Sequence, residues 1–184
     1  MEQVLQVEGL EIRYHTREGT LTAVRDLSLD VRQAEIVGIV GESGCGKSTI
    51  ASAVLRLLPP NGEITAGRVL FKGQNLLDLD DEALRRLRGR EMSMIFQDPM
   101  TSLNPVFTIE EQLLDALRAN RREGKRNRAA LRQVAIDMLC RVDIPDAERR
   151  LRDYPHQFSG GMRQRIMIAT ALLDADLFIN LPVA

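Results

Sequence analysis

The sequence predicts an α/β fold: a β-rich core around a glycine-rich strand-to-helix turn, an antiparallel sheet at the N-terminus and an inserted helical segment. Three observations predict it. Residues 4–7, 10–14 and, most strictly, 27–31 alternate apolar with polar side chains, as strands wet on one face do. Residues 35–40 are instead a nearly continuous apolar run, the pattern of a strand covered on both faces, and Gly41-Glu42-Ser43-Gly44-Cys45-Gly46-Lys47-Ser48-Thr49 follows directly. From 108 to 142 the reading is helical: Leu131, Val134, Ala135, Met138, Leu139 and Val142 keep one stripe, with Arg132, Asp137 and Arg141 outside it. The 184 residues are enough for one well-buried core with a smaller subdomain, not for two full domains.

In chain order, Glu18-Gly19 is the expected turn between two of the first strands. Beyond the glycine-rich turn, Ile50, Ala53, Val54, Leu57 and Leu58 form one buried helical stripe, which Pro59-Pro60-Asn61-Gly62 stops. Gly67 and Gly73 bracket a short strand at 68–71. Asp80 reads as the N-cap of a short helix ending in Arg85, Arg86 and Arg88 before Gly89. Acid first, base last and glycine after suit the helix dipole and its C-cap. Residues 92–96 are a buried strand candidate. Ser159-Gly160-Gly161 opens a later helix rich in Ile, Met and Ala, and Leu177-Phe178-Ile179 starts another buried strand. Nothing repeats internally.

Composition excludes several classes. Lys plus Arg is 25 against 26 Asp plus Glu, a net charge of −1, which disfavours a globally basic nucleic-acid binder. Residues 118–132 hold seven basic residues and one acidic residue. They lack interleaved aromatics, so a solvated helix-loop face is the expectation, with contact to anionic lipid as the other reading. Cys45 and Cys140 are too few for a disulfide scaffold or a structural zinc cluster, and His15 and His156 suggest no metal motif. No apolar run approaches the roughly 18 residues of a membrane-spanning helix. The N-terminus lacks a secretory pattern, so a soluble chain in a reducing compartment is expected.

Gly41 to Ser48 fits G-x-x-x-x-G-K-[ST] between a buried strand and a helix, the context that motif requires. Glycines let the backbone curl so that successive N–H groups face phosphate oxygens. The helix beginning near Lys47 adds its positive end, Lys47 supplies a cation for the β- and γ-phosphates, and the Ser48 hydroxyl suits Mg²⁺. Cys45, inside the loop, is read as one of the small residues that position tolerates rather than as a redox sensor.

A phosphate loop does not choose among kinases, GTPases and transport ATPases. The next motifs do. Phe96-Gln97-Asp98-Pro99 follows a buried strand and leads into Met100-Thr101-Ser102-Leu103-Asn104-Pro105, and further on stands Gln157-Phe158-Ser159-Gly160-Gly161-Met162-Arg163-Gln164-Arg165. Here the sequence resembles the ATP-binding subunits of ABC transporters, over residues 4–173. Residues 158–162 resemble their signature motif, with Met162 for the more usual Gln, and Gln97 matches their Q-loop glutamine. Residues 96–105 resemble the branch that energises oligopeptide and dipeptide import, with its nickel and glutathione relatives.

The resemblance implies a P-loop NTPase fold of the ABC type, with residues 1–98 and 163–184 as core and 99–162 as helical subdomain carrying the signature. It implies ATP and Mg²⁺. Gly41, Ser43, Gly44, Cys45, Gly46, Lys47, Ser48 and Thr49 would hold the phosphates, Tyr14 would stack on adenine with Val24 against the same base, and Ser48 and Gln97 would ligate Mg²⁺. Ser159, Gly160, Gly161 and Met162 would close over the γ-phosphate of a second subunit, a role that suits a serine N-cap and flanking glycines. Lys47 and Gln97 would carry the catalytic roles. Implied partners are that second subunit, transmembrane permeases and, indirectly, a solute-binding protein, at the cytoplasmic face of the cell membrane; no nucleic acid is expected. The alternatives are a catalytically dead nucleotide-binding module and a non-transport ABC ATPase.

The pattern departs from the family in one place. The strand after the signature helix ends, in the family, in an Asp and then a Glu; here Asn180 and Leu181 stand there, and Asp174 and Asp176 precede the strand. Neither His15 nor His156 matches the family's switch histidine. An interrupted reading frame is expected rather than a short protein that has lost catalysis. Expected consequences are bare apolar faces at 37–40 and 94–96, poor solubility and slow turnover.

Overall fold

The alternating N-terminal residues form a long antiparallel ribbon in the computed structural model: β1 (Gln3–Thr16) pairs with β2 (Gly19–Arg32). The structure describes residues 2–95, 103–119, 127–172 and 177–180. The chain divides into two compact units, Met1–Arg85 and Arg86–Ala184.

In the first unit, β3 (Gly62–Phe71) runs antiparallel to β1 on its other side, and β4 (Gln74–Asn75) follows, giving the order β2-β1-β3-β4. The two strands expected at 4–7 and 10–14 are one strand with an irregularity. Pairing slips between Val7 and Leu10, around Gly9, whose N–H donates to Ser28 Oγ at 3.0 Å. An extra residue at a bulge shifts the side-chain alternation, which is why Leu5, Val7, Leu10 and Ile12 are all buried on one core. Facing the bulge, Gly67 has φ 95°, and a Cβ there would lie 2.6 Å from the carbonyl oxygens of Glu8 and Gly9. Only glycine lets β3 cross at that distance. Thr16 pairs with Gly19, so the hairpin turn is Arg17-Glu18, one residue before the expected place.

Helix α1 (Lys47–Val54) buries Ile50, Ala53 and Val54. Leu57 and Leu58 lie beyond its end, because Arg56 takes a left-handed φ of 50°. Helix α2 (Asp81–Leu87) starts as expected, with Asp80 Oδ1 accepting from the Ala83 N–H at 2.7 Å.

One expectation is overturned. Residues 35–40 form no strand. Ile36 is 99% and Val40 93% exposed, and Val37 and Ile39 are exposed as well. An apolar run becomes a doubly buried strand only when neighbours take its N–H and C=O groups and cover both faces, and no described strand pairs with this one.

The second unit contains β5 (Met92–Ile95) and β6 (Leu177–Asn180), paired in parallel with Met92 opposite Leu177. Around them lie α3 (Ile109–Ala119), α4 (Arg128–Arg141), the short α5 (Ala147–Arg150) and α6 (Gly160–Ala171). Ile95, Leu113, Leu139, Leu151, Phe158 and Ile166 belong to their shared core. Ile95 is therefore covered and Met94 half-buried, contrary to the bare face expected there; Phe96 lies outside the described residues. Arg132 joins three helices, reaching Glu110 at 3.4 Å and Glu148 at 3.0 Å. Arg128 also pairs with Glu110 and Arg118 with Asp115, so these members of the basic stretch are neutralised locally. Arg165 donates to the Asp143 carbonyl at 2.7 Å and stabilises the C-terminal end of α4. Among the described residues, no helix is long and apolar enough to cross a membrane.

Candidate nucleotide site

The glycine-rich loop ends on Gly46, the N-cap of α1, with φ 94° and no side-chain cap. A Cβ there would meet the Ala23 carbonyl oxygen at 2.9 Å and Val24 Cγ2 at 3.3 Å, so glycine lets the loop lie down on β2. The first helical hydrogen bond runs from the Ile50 N–H to the Gly46 carbonyl at 2.9 Å. The amides of the turn before it have no carbonyl to reach inside the helix and no cap to replace one. Their dipoles favour negative charge at that end.

Lys47 lies within the loop. Its ammonium donates to the carbonyls of Gly41 at 2.8 Å and Glu42 at 2.6 Å and stands 3.5 Å from Cys45 Sγ. The backbone thus already curls around a cation. Ser43, Gly44 and the Cys45 side chain are exposed on this loop, while Ser48 is half-buried on the first turn of α1.

Tyr14 and Val24, expected against the adenine, lie next to the first turn of α1 and to Gly46. The Tyr14 hydroxyl donates to Thr49 Oγ1 at 3.3 Å, and its ring edge packs on Gly62, where a Cβ would be 2.7 Å away. Val24 is buried beneath Gly46. The Thr49–Tyr14 bond was not legible in the sequence, since nothing local links residues on a strand and a helix.

In the second unit, Ser159 caps α6: its hydroxyl accepts from the Met162 N–H at 3.3 Å. Gly160 and Gly161 are exposed, with nothing within 4 Å of where a Cβ would stand. The approach is fixed by a 3₁₀ turn, Pro155–Gln157, in which Gln157 Oε1 accepts from the Tyr154 N–H at 2.7 Å. Phe158 is buried with the Arg150 guanidinium 5.3 Å from its ring centroid. Gln97, with residues 98–102, Asp174, Asp176 and Leu181, lies outside the described residues.

The sequence profile described as ABC transporter matches residues 24–180. The chain belongs to the ABC transporter family. It is 49% identical over 181 residues to the dipeptide transport ATP-binding protein DppD of Bacillus subtilis (strain 168), a match covering 97% of this chain and 53% of that protein. It is 46% identical over 172 residues to the oligopeptide transport ATP-binding protein OppD of Escherichia coli (strain K12), covering 94% of this chain and 50% of that protein. The chain thus spans about half the length of the curated relatives it matches. Among solved structures it resembles the ATP-binding cassette MJ0796 in a dimeric post-hydrolysis state bound to ADP and Pi, with TM-score 0.83 and 26% identity over 96% of this chain and 72% of that one. The fold expected from the sequence, an α/β ABC-type nucleotide-binding domain, is thereby borne out.

Proposed function

We propose that this chain binds ATP as the nucleotide-binding portion of an ABC importer subunit, one that energises uptake of peptides or related small solutes. The observation that carries the reading is the uncapped N-terminus of α1 behind Gly46, with the Lys47 ammonium held within the loop by two backbone carbonyls and the Cys45 sulfur, partners that a phosphate can replace. The similarity to dipeptide and oligopeptide transport proteins supports the peptide branch.

In this reading residues 1–98 and 163–184 form the core and 99–162 the helical subdomain. The triphosphate lies against the amides of Gly41, Ser43, Gly44, Cys45, Gly46, Lys47, Ser48 and Thr49. Tyr14 and Val24 flank the adenine, consistent with their packing on the loop and its helix. Mg²⁺ supplies charge compensation when bound, and the Ser48 hydroxyl and Gln97 amide oxygen would hold it, both hard oxygen donors of the kind it takes. Ser159, Gly160, Gly161 and Met162 face the nucleotide of a second subunit; the bare surface over both glycines supports such a backbone approach. The partners are that subunit, transmembrane permeases contacted near residues 98–107, and through them a solute-binding protein, at the cytoplasmic face of the membrane. At the end of β6 stands Asn180, followed by Leu181. An amide and an alkyl group cannot take a proton from water, so these two positions support binding without general-base catalysis.

A nucleotide titration tests this. Unsubstituted chain binds ATP, and Lys47→Ala weakens it by roughly ten- to a hundredfold, the range for loss of a charge-assisted bond. Steady-state turnover is expected to be low in both. No measurable affinity overturns the reading; brisk turnover abolished by Lys47→Ala overturns its catalytic part.

A further inference from the structure

Tyr14 lies on an inner strand, β1, paired with Leu21 of β2 on one side and with Gly62 of β3 on the other. Its ring is held at two points. The hydroxyl donates to Thr49 Oγ1 at 3.3 Å. One edge lies on Gly62, where a Cβ would stand 2.7 Å from Cε1 and 3.2 Å from Cδ1. A tip and an edge together fix both side-chain torsions, and with them the plane of the ring. Gly62 has no left-handed φ, so a side chain there is barred by the tyrosine and not by the backbone. Its place is set by bonds around it. The Gly62 N–H donates to the Pro59 carbonyl at 2.8 Å, the His15 N–H to the Asn61 carbonyl at 2.8 Å, and Asn61 Nδ2 to the His15 carbonyl at 3.3 Å. Leu21, opposite Tyr14 and so on the same face of the sheet, is 59% exposed and extends the apolar surface beside the ring.

We propose that Gly62 and Thr49 are positioning residues that hold the Tyr14 ring in one plane, and so set how strongly this site prefers a nucleoside triphosphate to the bare triphosphate. The proposal rests on the nucleotide reading above and adds what orients the ring against the base. Stacking needs a ring face parallel to the base, and a ring fixed beforehand loses little freedom when the base arrives. A side chain larger than hydrogen at 62 drives the ring edge away, and removal of the hydroxyl frees its tip. Either change tilts the plane and leaves the amides of the glycine-rich loop as they are. Thr49 accepts from Tyr14 through its oxygen and keeps its own proton to donate, so it can hold the ring without losing its place beside the phosphates. A bare triphosphate touches neither the ring nor Gly62, and its affinity reports the loop alone.

The test titrates the full chain with ATP and with inorganic tripolyphosphate, Mg²⁺ present in both, and reads the ratio of the two affinities. Tyr14→Ala is expected to lower that ratio roughly five- to a hundredfold, the contribution of stacking one base on an aromatic ring. Gly62→Ala should lower it by at least about threefold, a share of the same contribution, with tripolyphosphate affinity unchanged. In the Tyr14→Ala background Gly62→Ala should change the ratio no further, because it acts through the ring. Tyr14→Phe, which keeps the ring and adds no atom, should lower the ratio less than Gly62→Ala does. An unchanged ratio in Gly62→Ala overturns the proposal. So does a further loss in the Tyr14→Ala background, or an equal loss of both ligands, which would mark a general disturbance of the sheet. An unchanged ratio in Tyr14→Phe overturns the part of Thr49. Should Gly62→Ala fail to melt cooperatively, Tyr14→Phe decides alone. If the unsubstituted chain binds tripolyphosphate as tightly as ATP, the base is not read and the proposal falls while the phosphate loop stands. If it binds neither, the nucleotide reading itself falls.

Discussion

Helix α1 begins after Gly46, which has φ 94° and offers no side-chain cap, whereas α6 begins after Ser159, whose hydroxyl takes the Met162 N–H at 3.3 Å. Both are glycine-flanked N-termini, and a phosphate is proposed at both. Their local chemistry differs. α1 leaves its first amides without a side-chain cap and keeps a lysine folded into the loop beside them, an arrangement whose charge favours an anion. α6 satisfies one of its own amides and leaves Gly160 and Gly161 bare, an arrangement suited to meeting another surface. A third start, α3, closes on itself: Thr108 and Glu111 bond reciprocally.

Substitutions at these three starts can break or sharpen the contrast. The largest effect is expected from Gly46→Ala, which combines a left-handed φ with a Cβ 2.9 Å from the Ala23 carbonyl oxygen. It should cost ~1–3 kcal/mol in a denaturant melt and impair nucleotide titration together. A variant that melts and binds normally would mean that the loop does not depend on lying against β2. Ser159→Ala should cost about 1 kcal/mol, and Ser159→Gly only a few tenths, the order expected for an N-cap. Equal losses for the two would deny Ser159 its capping role. Glu111→Gln should have the smallest effect and a distinctive pH dependence. The Thr108 N–H and hydroxyl hold the Glu111 carboxyl below its ordinary range. The stability this adds is complete above the ordinary carboxylate range and fades as pH falls through the lowered value. Melting curves of the two proteins should therefore differ at neutral pH and converge in acid; a constant gap would refute the assignment.

Much of this was legible because it is local. The cap at Asp80 depends on a side chain reaching an amide three residues on, and the structure has that bond at 2.7 Å. The stripe on α4 follows from helical spacing, and Leu131, Ala135, Met138 and Leu139 are buried. The glycine-rich turn is legible for the same reason: its glycines and lysine lie within nine residues, and Lys47 folds back on the Gly41 carbonyl. What failed was non-local. Two strands were expected where β1 is one, because a bulge preserves burial while breaking the alternation that periodicity tracks. The bond that Gln112 accepts from the Asn104 N–H spans eight residues and leaves no pattern in the sequence.

By itself the sequence determined the family, the glycine-rich turn at 41–49 and the helix starts at Asp80 and Ser159, the last two being set by bonds between near neighbours along the chain. Tertiary structure alone decided that β3 crosses β1 at Gly67 too closely for a Cβ, that Ile95 is covered by helices, and that residues 35–40 stay exposed. A run of apolar residues states only a preference for burial; whether a strand forms depends on partners for its backbone, and those come from elsewhere in space.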